Sequence, residues 1–203
     1  MISIMIDGCA VDILPFVSGL RSEADKVREA FGKYEAYGVS MGIEGIQAVE
    51  KRDEIDDDPT VSELDLVYAD KMGAFGEVEM PSPAVCELVD LCRKNGISAI
   101  PLDMNDEEFT ELYCDKVKAY EFVREHRLAK KGMKKKFDAS TPEEFAVQWD
   151  AYVNEVKGFR EVSEERERHI AEEITDVSKY RKSLLVLLEV ERCGGVAALL
   201  GKR

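Results

Sequence analysis

Two histidines and five cysteines are all that 203 residues offer for soft-metal or thiol chemistry. His126 and His169 each fall within a helical, highly charged stretch, where a solvated or capping ring is expected rather than a triad base. Cys9, Cys86, Cys92, Cys114 and Cys193 include no Cys-x-x-Cys pair, and their number is odd. They read as reduced thiols used as small apolar residues. The chain contains no P-loop, no Gly-x-Gly-x-x-Gly, no Gly-x-Ser-x-Gly elbow and no His-Glu-x-x-His. No metal, zinc included, and no cofactor is assigned from the residues.

Carboxylates are the remaining source of chemistry, and three places hold them near element ends. Glu77 and Glu79 precede a helix that starts at Ser82. Asp103 closes the run Ile97–Leu102, and the carboxyl end of a strand is where open α/β sheets hold their ligands. Glu165-Arg166 sits early in a late helix. Each also has a plain structural reading. Acidic residues before a helix favour its positive end, an Asp after a strand starts a turn, and an adjacent Glu-Arg pair decorates a surface.

The elements that must position these groups follow from periodicity and punctuation. Ile2–Ile6 is a short apolar run ended by Asp7-Gly8, which predicts a buried strand and a turn. Ser18 to Phe31 carries Leu20, Ala24, Val27 and Phe31 at helical spacing, and Gly32 stops it. Residues 37–41 predict a second strand, Ile43 to Val49 a short helix, and Leu64 to Ala69 a third strand. The acidic run at 53–58, followed by Pro59, predicts a solvated loop, since its spacing lacks the central Gly and terminal Glu of a calcium loop. Ser82-Pro83 opens the clearest helix, Asn95-Gly96 closes it, and a strand over Ile97–Leu102 follows.

Beyond Asn105 the pattern turns helical. Asn105 caps a stretch through about Leu128. Lys130, Lys131, Lys134, Lys135 and Lys136 predict an exposed loop. Ser140-Thr141-Pro142-Glu143 opens a helix that Gly158 closes, and Ser163 caps the next. Ser183 to Val190 is an apolar strand, and Gly194-Gly195 turns into a short helix over Val196–Leu200. The expected fold is α/β, a mostly parallel central sheet with a large helical insertion. Residues 1–104 and 176–203 form the core and 105–175 the insertion, within a single domain.

The charge sets limits on partners. Twenty-eight Lys and Arg against 42 Asp and Glu leave a net charge of −14, which repels nucleic acid and anionic membrane surfaces. No apolar run reaches the roughly 20 residues that span a bilayer. The start of the sequence lacks the pattern of a signal peptide, so the expected compartment is the cytoplasm. The expected partners are a small molecule or another protein. A second copy is one candidate, since the lysine patch complements the 53–58 run.

The order of Gly8-Cys9-Ala10, Tyr37–Met41, Glu79-Met80, Asp103, the Glu165–Ala171 helix and the segment 185–196 resembles the TraB-like superfamily. That group includes the pheromone-shutdown proteins and is distantly similar to erythromycin esterases, ChaN and Tiki proteins. The resemblance implies the α/β fold. It also implies metal-ligating histidines at two positions, where this chain has Val11 and Arg192. An arginine has no lone pair to give a metal; it neutralises carboxylates or holds anions. The chain is therefore expected to be a divergent, non-enzymatic ligand-binding or protein-interaction module, with Glu79, Asp103, Glu165, Arg166 and Arg192 as the candidate pocket. The rival is a metal-dependent hydrolase in which Glu79, Asp103 and Glu165 converge on Mg²⁺ or Mn²⁺.

Overall fold

A computed structural model describes residues 1–54 and 62–201 of the chain. Ile2–Ile6 (β1) and Cys9–Phe16 (β2) form an antiparallel hairpin in which Ile6 faces Cys9. Asp7 and Gly8 both have positive φ, 49° and 85°, the backbone twist that suits a two-residue hairpin loop. The sequence reading overlooked β2, because Asp12 and Pro15 interrupt its apolar run. Pro15 is tolerated there because β1 stops at the partner of Ile13, so no β1 residue pairs with it. β1 itself is the sheet's edge and is only half-buried, not the buried strand expected.

Ser183–Glu189 (β5) runs parallel to β2 on one side and to Ala36–Val39 (β3) on the other; Ile100–Pro101 (β4) lies beyond β3. The sheet order is β1-β2-β5-β3-β4, so the mostly parallel α/β fold expected from sequence is the fold observed. Leu184 to Leu188 are all buried, as befits a central strand covered on both faces. Leu184, Val186 and Leu188 face one layer, while Leu185 and Leu187 face the other.

The first layer is built by Lys157–Ser178 (α8) and Cys193–Leu200 (α9), through Ile170, Ile174 and Val196. The second is built by Glu23–Ala30 (α1), Ile43–Glu50 (α2) and Pro83–Lys94 (α4), through Val27, Ile46 and Leu88. A third apolar cluster joins Glu63–Met72 (α3), Ala119–Lys134 (α6) and Pro142–Val153 (α7) to Val17 and Leu20, just beyond the end of β2. Asp106–Lys116 (α5) packs on α8. Among the described residues no helix is long and apolar enough to cross a membrane.

Several sequence-based expectations are corrected. The strand expected at Leu64–Ala69 is α3, whose Ser62 forms a capping box with Asp65. The helix expected from Ser18 begins only at Glu23, and the strand expected over Ile97–Leu102 shrinks to the two residues of β4. The acidic loop at 53–58 lies outside the described residues from position 55 onward. Lys130, Lys131 and Lys134 are not in a loop but in the last turns of α6, where cations favour the helix C-terminus. Gly132 continues that helix because a Cβ there would sit 3.1 Å from the Trp149 ring.

Gly158 does not close α7; it lies inside α8. A Cβ at Gly158 would meet the Lys116 carbonyl at 2.9 Å, and the bare backbone lets α8 abut the α5–α6 joint. Ser163 is likewise interior to α8 rather than its cap. Gly194 and Gly195 are helical, within α9; Gly195 lies against the Glu167 carboxylate, which a Cβ there would overlap, whereas Gly194 faces open space.

Candidate functional site

Four parallel strands deliver their carboxyl ends to one edge of the sheet: Phe16 of β2, Val39 of β3, Pro101 of β4 and Glu189 of β5. The chain beyond each end carries polar groups. Asp103 follows β4 by two residues, Ser40 follows β3, and a single 3-10 turn, Val190–Arg192, follows β5. α7 packs against that turn and brings Asp150 to it.

Asp103 is 7% exposed and accepts two hydrogen bonds from Arg166 of α8, one from Nε at 2.9 Å and one from Nη2. Both donors converge on Oδ2, while Oδ1 accepts from the Met104 backbone N–H at 2.8 Å, so this is a charge-assisted contact on one oxygen. Burial opposes the charge on Arg166, and the Asp103 carboxylate outweighs it, so the guanidinium is held above its ordinary pKa. The same guanidinium lies 5.7 Å from the Phe109 ring centroid. Two of the sequence-nominated residues therefore form one buried pair.

Beside this pair opens a pocket of about 670 Å³, within the range of small-molecule sites. Arg166 and Arg192 line it together with Asp150, Glu189 and Glu191. Tyr68, Tyr113, Trp149 and Phe159 supply an aromatic wall, and Met80 and Phe109 lie at more exposed positions along it. Arg192 donates from Nη1 to Ser163 Oγ at 3.0 Å, while its buried Nε has no partner. Glu189 accepts from the Ser40 hydroxyl. Asp150 accepts from Asn154 Nδ2 at 2.8 Å. The buried Oε2 of Glu191 has no partner.

These carboxylates raise one another's proton affinity. Burial first, and then the Glu189 charge, push Glu191 up to about 7. Asp150 is also raised by burial, with Arg192 acting against the shift. Glu167, on the neighbouring turn of α8, is raised by burial and by Asp150. Burial, with Glu191 and Glu189 adding to it, raises Tyr68, whose hydroxyl donates to the Ser18 carbonyl at 3.2 Å.

The other nominated residues lie elsewhere. Glu79 is on a separate groove and meets Arg21 Nη1 at 3.4 Å, a solvent-exposed ion pair. Glu165 pairs with Arg168 and lines a shallow depression with His169 and Lys116. His126 Nδ1 contacts Glu63 Oε2 at 2.6 Å on the surface. Glu79, Asp103 and Glu165 are thus not brought into one cleft. All five cysteines are free, and Cys193, beneath the pocket, is pushed up to about 12 by burial and by Glu189 and Glu191.

The donor set does not fit the metal implied by the TraB-like resemblance. Val11 is an apolar core residue of β2, and Arg192 is turned to Ser163. Among the described residues no group of three or more His, Cys, Asp or Glu side chains is arranged to hold a metal ion.

Asp150, Glu189 and Glu191 are the pocket residues that sequence reasoning missed. The available signal was the acidic pair immediately after the most apolar strand, at the ligand-bearing edge of the sheet. Nothing in the sequence marks Asp150, which arrives through tertiary packing. No protein-family model, curated protein or solved structure matches the chain.

Proposed function

We propose that the chain is a divergent TraB-like protein that binds a small amphiphilic molecule in the pocket at the carboxyl edge of its sheet. The TraB-like part of this reading rests on the order of the short motifs around Gly8, Glu79, Asp103, Glu165 and the 185–196 segment. The binding part rests on the pocket itself, where one wall is aromatic and the floor is charged. The dispersal of Glu79, Asp103 and Glu165 weighs against a metal-dependent hydrolase, as does the commitment of Asp103 to Arg166.

Trp149 is the chain's one tryptophan and lines the pocket, which gives a direct assay. The neutral dye N-phenyl-1-naphthylamine accepts energy from tryptophan and brightens in apolar surroundings. Titrated into the protein, it should quench Trp149 saturably with one dye per chain. Val153→Phe, which places a ring at a pocket-lining position, should abolish the transfer while leaving the far-ultraviolet circular dichroism unchanged. Absence of saturable transfer, or equal transfer in Val153→Phe, overturns the binding reading.

A further inference from the structure

We infer that the pocket takes an organic cation, with a protonated amine set against Asp150, Glu189 and Glu191 and an aliphatic or aromatic body against the Tyr68–Trp149–Phe159 wall. This rests on the binding reading above and names the ligand class that the pocket's charges select.

Counting charges over the floor gives the direction. Among the described residues, none of Asp150, Glu189 and Glu191 has a cationic side chain within 4 Å. Arg166 gives its hydrogen bonds to Asp103 and reaches Asp150, Glu189 and Glu191 only at longer range. Arg192 moderates Asp150 and Glu191 at longer range, but its one hydrogen bond goes to a neutral hydroxyl, Ser163. Glu167 adds a fourth carboxyl close by. The floor therefore carries more anionic groups than it has cations to balance, and Glu191 leaves an acceptor atom unused. Desolvated carboxylates call for a positive partner.

The alternatives of opposite or no charge fit less well. An anionic ligand would meet Glu189 and Glu191 at the same floor as Arg192. A bare divalent ion would find no set of three donors and would leave the aromatic wall without a role. An amine on an apolar body uses both halves of the pocket, since aromatic faces also attract cations.

The raised proton affinity of Glu191 adds a pH signature. An alkyl amine stays protonated through pH 8, as lysine does, whereas Glu191 becomes fully ionised only above neutrality. Affinity for the amine should therefore rise between pH 6 and 8.

The probes are 2-phenylethylamine, the neutral 2-phenylethanol and the anionic 3-phenylpropanoate, each competing with N-phenyl-1-naphthylamine for the full-length protein. The amine should displace the dye at a concentration about tenfold lower than the alcohol, and the acid should be the weakest. Glu191→Gln and Glu189→Gln should each cost the amine most of that advantage, and Glu191→Gln should flatten its pH dependence. Far-ultraviolet circular dichroism and a cooperative urea transition like the parent's would show that both variants fold, and each variant's own dye affinity sets the scale for its competition. If the dye binds but the alcohol or acid competes as well as the amine, the cation assignment fails and the binding reading stands. The cation assignment fails in the same way if both variants keep the amine's advantage. If the dye does not bind, both fall.

Discussion

Replacing Glu191 by glutamine should stabilise the protein at pH 8 and change little at pH 5. Glu191 lies in the turn after β5, with Glu189 beside it, Asp150 facing it from α7 and Arg192 the nearest opposing charge. Burial and Glu189 raise its pKa from the ordinary 4.5 to about 7. The folded state thus holds the proton more tightly than the unfolded chain does. This stabilisation is complete below pH 4.5 and is lost as pH climbs through 7. A shift of that size corresponds to about 3 kcal/mol of stability given up between pH 5 and pH 8. Glutamine keeps the shape and never ionises, so the variant avoids the loss. It also gains an amide donor next to the Glu189 carboxylate.

Urea unfolding followed by Trp149 fluorescence would measure the difference at both pH values by linear extrapolation. The carboxylates lowered by ion pairs, such as Asp90 beside Arg52, are already ionised at pH 5 and do not contribute in this window. Asp150 and Glu167 do contribute, with the same sign, so the variant retains part of the slope. The reasoning is refuted if the stability gap between Glu191→Gln and the parent is the same at pH 5 and pH 8. It is equally refuted if the variant is the less stable of the two at pH 8.

Arg166→Ala should destabilise the fold by about 3–5 kcal/mol in chemical denaturation, because it strands the buried Asp103 carboxylate without its charged partner. Adding Asp103→Asn should recover part of that loss, which a simple packing defect would not allow. Gly158→Ala should destabilise the fold by about 1–3 kcal/mol in chemical denaturation, since the new Cβ would meet the Lys116 carbonyl and Val117 Cα, which are backbone and cannot swing aside. Gly195→Ala, whose new Cβ meets only the end of the flexible Glu167 side chain, should cost far less.

What could be read from the sequence was the part written in local chemistry. The Ser82-Pro83 start and Asn95-Gly96 stop bracket α4 to within a residue, and Asn105 makes the capping box expected of an N-cap. The five successive apolar residues of β5 announced a strand buried on both faces. Where reading failed, tertiary contacts had overruled local preference. Gly158 looked like a helix end, Gly195 like a turn and Gly132 like part of a lysine loop, yet each sits inside a helix at a close approach: to the Lys116 carbonyl, to Glu167 and to Trp149. A glycine required for proximity is indistinguishable, in one sequence, from a glycine required for a turn.

The candidate site divides the same way. Asp103 and Arg166 were reachable because strand ends and helix charges have positional meaning, and Arg192 only through the TraB-like resemblance; all three meet at the sheet's carboxyl edge. Glu79 and Glu165 had the same local credentials, but they face separate grooves. What separates the two outcomes is convergence. Asp103 follows β4 and Arg166 comes from a helix 63 positions later, so only the packing of α8 on the sheet makes them a pair. The pair has a consequence for the pocket. By tying Arg166 to Asp103, it leaves Glu189 and Glu191 with this guanidinium only at longer range, not as a hydrogen-bonded partner. The floor's unmet negative charge is thus a by-product of how the strand end is neutralised. An Arg166→Ala/Asp103→Asn protein that still folds would therefore lose its cation at this edge without exposing a new carboxylate. Its pocket should prefer amines at least as strongly as the parent's.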